Sequence, residues 1–302
     1  MYYERGIRQP QIAEALNLSQ PRVSRLLRQA QDVGIVRTVV TMPAGTYTDL
    51  EDQIQARYGM RDVVVVDADG SGGDVMPALG AATAEYLDVT LIGSDSIGVS
   101  SWSETLIEAV NVMRPKTGVV AEHVVQLLGG LGDPTVQVKA TRLTERLASL
   151  TGATPVFLSA PGMVSTPNAR RAMMNDRSIS SVVSLWKELT VALVGIGSLE
   201  PSRLAAQSGN AVGEDEQAEL RALGAVGDVC FRFFDEDGRH VRSKIDQRLI
   251  GIGYPELLKV PRRIGVAGGE RKFTAIRAAL RGKWINVLIT DLAMAERLVR
   301  KP

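Results

Sequence analysis

Ser96-Ile97-Gly98-Val99-Ser100-Ser101-Trp102-Ser103-Glu104-Thr105 starts as an apolar run, breaks into a row of hydroxyl side chains and resumes regular structure at Glu104. The run Ser96–Ser100 lacks polar alternation, so it reads as a strand buried on both faces, the habit of parallel sheets. From Glu104 to Val110 the pattern is helical. Similar short apolar runs recur at Val63–Val66, Val124–Leu128, Pro155–Leu158, Val191–Ile196, Asp228–Phe233, Arg263–Ala267 and Asn286–Thr290, with helical stretches such as Asp49–Tyr58 between them. Strand alternating with helix predicts an α/β fold, a doubly wound, mostly parallel sheet. No internal repeat or low-complexity tract interrupts it. Met60 and Met173–Met174 read as core fillers.

The composition is that of a globular protein able to bury a full core: 302 residues, 45% hydrophobic and 23% charged, with a net charge of +1. One cysteine, Cys230, and two histidines, His123 and His240, argue against a disulfide, a cysteine-rich zinc site or a histidine-rich metal centre. No cofactor and no metal are expected. No apolar run reaches the ~18 residues of a membrane span, so a cytoplasmic protein without membrane contact is expected.

The charge is unevenly spread. Residues 1–42 hold Arg5, Arg8, Arg22, Arg25, Arg28 and Arg37 against Glu4, Glu14 and Asp32, and the rest of the chain is mildly acidic. A basic head suits a polyanion, and arginine suits bidentate contact with phosphate or guanine. Within the head, Gln9–Leu16 reads as a short helix with Ile12, Ala13 and Leu16 at helical spacing. Asn17 tolerates the left-handed backbone of a tight turn, Ser19 is a good N-cap, and Pro21 fits the first turn of a second helix. Val23, Leu26 and Leu27 should face inward. A DNA-binding helix-turn-helix follows, with a plain helical hairpin as the alternative. Ser19, Gln20, Arg22, Ser24 and Arg25 are candidates for base or phosphate contacts, and Arg28 for backbone phosphate. Ile35–Thr41 reads as a strand and Pro43–Thr48 as a linker. The expected domains are therefore a head over 1–42, a linker over 43–48 and a large domain over 49–302.

In a doubly wound sheet, ligands sit beyond the carboxyl ends of the strands, near helix N-termini. Ser100, Ser101, Ser103 and Thr105 place hydroxyls beside unpaired amides, with Trp102 among them. The same residues would also serve a simply capped helix start. Gly268-Gly269-Glu270-Arg271-Lys272 brings flexible backbone and a lysine to a helix start, where an anion would offset the unfavourable charge. Asp228 can accept hydrogen bonds from sugar hydroxyls, or cap, or salt-bridge. Cys230 reads as a buried small residue within a strand. Gly197, in Val194-Gly195-Ile196-Gly197-Ser198, is near enough to line a pocket.

Taken together, these blocks resemble the SorC-type sugar-binding transcriptional regulators, often grouped near the DeoR regulators. The resemblance runs through Gln11–Leu16 and Arg22–Leu27 in the head, then Gly98–Ser100 with Trp102 and Thr105, Val194–Gly197, Gly224–Asp228 with Arg232–Asp235, and Ala267–Gly269 with Lys272. It spans essentially the whole chain. It implies a domain related to sugar-phosphate isomerases and deaminases, a phosphorylated sugar or polyol as effector, operator DNA as partner, and a homo-oligomer, dimer or tetramer. Carried over by position, Ser100, Ser101, Ser103, Thr105 and Lys272 would hold phosphate, and Asp228 a hydroxyl. Trp102, Gly197, Gly268 and Gly269 complete the expected effector site.

Three departures stand out. Ser103 replaces the glycine usual after the tryptophan. Glu104 puts a carboxylate where a phosphate would be repelled. The head opens at Met1-Tyr2-Tyr3, so either its first supporting helix is missing or the start is set late. The expected function is a non-enzymatic regulator of a carbohydrate-utilisation operon. The alternative is a sugar-phosphate isomerase or deaminase-type enzyme, for which Asp228 and Lys272 would have to form the acid–base pair.

Overall fold

The computed structural model describes residues 1–2, 7–32, 46–68, 74–116, 118–130, 134–200 and 212–300. The chain divides into two units, Met1–Ala44 and Gly45–Pro302. In the first, α1 (Gln9–Ala15) takes Pro10 in its opening turn, where the missing N–H costs nothing. Asn17, at φ 52°, turns the chain, and the Leu18 amide donates to the Ala13 carbonyl at 2.8 Å. Helix α2 (Gln20–Asp32) follows. Ile12, Ala13 and Val23 form a small core, with Ile7, Leu18 and Leu27 packed on it. Leu26, expected inside, is 49% exposed, because the buried stripe runs from Val23 to Leu27, four residues on. The expected strand Ile35–Thr41 and the start of the linker lie outside the described residues.

The second unit holds a seven-stranded sheet. In chain order its strands are β1 (Asp62–Val66), β2 (Ser96–Val99), β3 (His123–Gln126), β4 (Thr154–Val156), β5 (Val191–Gly195), β9 (Arg262–Val266) and β10 (Val287–Asp291). They lie side by side as β1-β10-β9-β5-β2-β3-β4, all parallel. Successive residues of a strand point to opposite faces. Accordingly, Ala192 and Val194 enter one core with Ile54 of α3 (Thr48–Tyr58), Val182 of α8 (Arg177–Leu185), Ile276 of α11 (Phe273–Arg281) and Leu298 of α12 (Leu292–Arg300). Val191 and Leu193 enter the other, with Leu87 of α4 (Met76–Thr90), Leu106 of α5 (Glu104–Val112) and Leu147 of α6 (Pro134–Thr151). Helices on both faces of a parallel sheet make it doubly wound, as the apolar runs predict. α7 (Pro167–Met174) precedes α8. No described helix is long and apolar enough to cross a membrane.

One run behaves otherwise. Asp228–Phe233 is not a buried parallel strand but the tip of an antiparallel hairpin, β7 (Ala225–Val229) and β8 (Arg232–Asp235). Cys230 and Phe231 form its two-residue turn at φ 54° and 57°. Left-handed backbone at both turn positions matches the strand twist, and asparagine or glycine normally signals it. Neither is present, so the apolar string hides the turn. Cys230 is buried as expected, but in the turn rather than in a strand. β6 (Gly197–Ser198) pairs with β7, giving a second, three-stranded sheet, and α9 (Glu214–Ala222) packs beside it. After α10 (Tyr254–Lys259) the chain re-enters the main sheet.

Where the hairpin meets the main domain, space is tightest at Gly238. Its φ is 77°, and a Cβ there would lie 2.3 Å from both the Ala278 carbonyl oxygen and the Gly282 nitrogen. Gly118, at φ 101°, has nothing within 4 Å of the same position. Gly118→Ala should therefore cost only backbone strain, about 1–2 kcal/mol. Gly238→Ala should cost clearly more, because backbone must move, and urea unfolding of the two variants reads the difference.

Candidate functional site

Strands β2 and β5 are neighbours, yet their chains leave in opposite directions, β2 toward β3 and β4, β5 toward β9 and β10 in the sheet order. Such a switch point leaves a crevice at the carboxyl ends that no crossover covers. A cavity of about 270 Å³ opens there. Its wall includes Ser100, Trp102, Ser103, Glu104 and Thr105 after β2, Gly195 to Ser198 after β5, and Gly268 and Lys272 after β9. The hairpin adds Asp228, Cys230, Phe231 and Phe233.

The α5 end of this wall is a capped helix start. The Ser103 hydroxyl accepts the Leu106 amide at 3.4 Å, and Glu104 occupies the first turn. The amides of Glu104 and Thr105 have no intrahelical acceptor at this end. Trp102 is buried and donates its indole N–H to the Gly129 carbonyl at 3.4 Å. Gly130 makes room for it, since a Cβ there would fall 2.1 Å from the ring.

Opposite stand Asp228 and Lys272. The Phe231 amide donates to Asp228 Oδ2 at 2.8 Å, a bond that the left-handed turn makes possible. Asp228 Oδ1 rests against Gly197, where a Cβ would approach to 2.0 Å. Burial pushes the Asp228 carboxyl up to about 6, against the pull of the Phe231 amide and the Lys272 charge. Lys272 Nζ donates to the Ile196 carbonyl at 2.9 Å. Burial lowers its pKa, while Asp228 and Glu104 act in the other direction. The Cys230 thiol, pushed by burial up to about 12, is inert as a nucleophile.

Two expected residues are off the wall. Ser101 is wholly buried, with its hydroxyl 3.4 Å from Thr144 Oγ1 of α6, because it follows the strand on the face that packs on a helix. Gly269 turns away at φ 85°, and its amide is spent on Asp291 Oδ2 at 2.7 Å. Lys272 lies in a single 3-10 turn (Glu270–Lys272) ahead of α11, not in the α-helix itself. Sequence reasoning missed Met76 and Leu79 of α4, Gln217 and Leu220 of α9, and Phe231 and Phe233. They come from remote segments with no local pattern that marks a site. Asp291 was also missed: it holds Gly269 with one oxygen and accepts the Met294 amide at 3.0 Å with the other. An acidic residue closing a parallel strand before a helix was the available signal.

A polar cavity at the switch point of a doubly wound domain, in a chain that also carries a two-helix basic unit, is the plan of a ligand-responsive regulator. Residues 43–300 match the family described as "Putative sugar-binding domain". The chain is 35% identical over 302 residues to the deoxyribonucleoside regulator of Bacillus subtilis, spanning 99% of this chain and 95% of that one. It is 30% identical to the sorbitol operon regulator of Klebsiella pneumoniae with the same coverage. The crystal structure of the full-length regulator SorC from Klebsiella pneumoniae matches with a TM-score of 0.77 at 28% identity, covering 99% of this chain and 96% of that chain. The chain belongs to the SorC-type family of sugar-binding transcriptional regulators, and it is a transcriptional regulator.

Asp228 gives the cavity a pH signature. Its folded pKa of about 6 lies above the unfolded value, so it favours the folded state fully below about pH 4 and loses that contribution as pH rises through 6. Asp228→Asn removes the ionisation. The melting temperature of the variant relative to wild type should rise from pH 4 to pH 7 and level off above it. A flat difference across that window would mean the carboxyl is not raised.

Proposed function

We propose that the two-helix head of this regulator reads operator DNA and that the switch-point cavity binds the effector, a sugar or polyol with or without a phosphate. The observation that carries the reading is the convergence of Ser100, Ser103, Thr105, Asp228 and Lys272, from four separate segments, on one cavity. Hydroxyl, carboxylate and ammonium groups beside Phe231 and Trp102 supply the hydrogen bonds and flat apolar contact that a carbohydrate ring needs. The binding of DNA rests on α2, where Gln20, Arg22 and Arg25 are exposed, a side-chain set suited to the major groove. Ser19, Ser24 and Arg28 are proposed to complete that contact. The head on DNA and the sugar in the cavity would be coupled through a shift between DNA-competent and other arrangements.

We further infer a homo-oligomer gripping repeated half-sites of a carbohydrate-utilisation operon, and a cytoplasmic location. Binding rather than turnover is supported by the fate of the one legible acid–base pair. Asp228 is tied to the Phe231 amide and Lys272 to the Ile196 carbonyl, which positions both as ligand contacts. Turnover of pentose or hexosamine phosphates is the assay that decides for the enzyme alternative.

Fluorescence anisotropy on labelled DNA from upstream of the coding region tests the reading directly. Binding should exceed that to scrambled DNA and fall steeply with salt, as arginine–phosphate contacts release counterions. Arg25→Ala should weaken DNA binding about tenfold or more and leave sugar binding unchanged. Lys272→Ala should abolish the effector response and leave DNA affinity intact. Loss of both activities in either variant would sink the division of labour.

A further inference from the structure

Charge on the cavity wall is lopsided. Among the described residues it carries one cation, Lys272, against the carboxylates of Glu104, Glu200 and Asp228. Lys272 is already engaged: its ammonium donates to the Ile196 carbonyl, and the charges of Asp228 and Glu104 both act on it. A phosphate would need an unspent cation and an open helix start, because a dianion in a part-buried site is costly unless paired. At the helix start the favourable end of the α5 dipole is met in cis by Glu104 in its first turn, and the Ser103 hydroxyl takes the Leu106 amide. What remains is hydroxyl chemistry. Asp228 and Glu104 accept hydrogen bonds from hydroxyl groups, Ser100 and Thr105 donate or accept, and Phe231 and Phe233 offer flat apolar surface.

We propose that Glu104 is the specificity-determining residue of this cavity and that the site selects an unphosphorylated, hydroxyl-rich sugar or polyol over its phosphate ester. The proposal rests on the sugar-binding reading above and sharpens it. Glu104 excludes the ester in two ways, by direct like-charge repulsion and by neutralising the helix N-terminus that would otherwise hold phosphate.

The test titrates the full-length protein calorimetrically at pH 8 and constant ionic strength. The probes are inorganic phosphate and matched pairs: ribose and ribose 5-phosphate, fructose and fructose 6-phosphate, sorbitol and sorbitol 6-phosphate. Wild type should bind a free sugar or polyol at least tenfold tighter than its ester. It should show no phosphate binding that Lys272→Ala removes. Glu104→Gln should shift the preference at least tenfold toward the ester and gain binding of inorganic phosphate, and the double variant with Lys272→Ala should lose that gain. Glu104→Ser, which keeps a good residue for a helix start, serves if the glutamine variant fails to fold.

A wild-type preference for the ester, or an unchanged preference in Glu104→Gln, overturns the proposal and leaves the sugar-binding reading standing. Failure of every sugar and ester to bind or to release DNA overturns the sugar reading itself. The inorganic-phosphate arm still judges Glu104 in that case, since no gain in the variant removes its role as the excluding group.

Discussion

The side chain of Asp228 is wedged between Gly197 and the hairpin turn, and the geometry of the cavity depends on that wedge. Its Oδ2 is anchored by the Phe231 amide, which points at it only because Cys230 and Phe231 both adopt left-handed backbone. Its Oδ1 sits where any side chain at position 197 would be, so the glycine of β6 and the aspartate of β7 are one constraint. Through β6 that constraint holds the chain leaving β5 in place. The Ile196 carbonyl then faces Lys272, and three segments far apart in sequence share one wall.

Electrostatics at this wall follow from burial more than from pairing. Desolvation is the largest influence on both Asp228 and Lys272, and it pushes each toward its neutral form. Their mutual attraction opposes that trend without cancelling it. A ligand rich in hydroxyl groups can replace lost water for both groups at once, which is why sugar binding and the pH response of the domain share the same carboxyl. The aromatic residues of the hairpin supply the apolar complement.

Family membership and physical reading agree on the plan of the molecule and divide on detail. The relatives are regulators, and the α/β domain with its switch-point cavity is what a regulator of this family carries. The departures at Ser103 and Glu104 acquire a structural meaning here: one caps α5 and the other faces Lys272. A residue that merely stabilised the helix start would have little reason to line the cavity.

Much of this was legible in the sequence. The apolar runs without alternation dictated a parallel sheet buried on both faces, because only such a sheet leaves no solvent-facing positions on its strands. Asn17, Ser19 and Pro21 marked the turn between the head helices through backbone preferences that act over a few residues. Ser100, Asp228 and Lys272 stood out because they follow strands. Tertiary structure alone decided which loops converge, since strand order is set by packing between remote segments. That is why Met76, Gln217 and Phe233 joined the site unannounced, and why Ser101 and Gly269 left it. It also decided that Asp228–Phe233 folds into a hairpin. The turn carries no asparagine or glycine, and the anchoring bond from Phe231 to Asp228, together with pairing to β6, supplies what local preference does not.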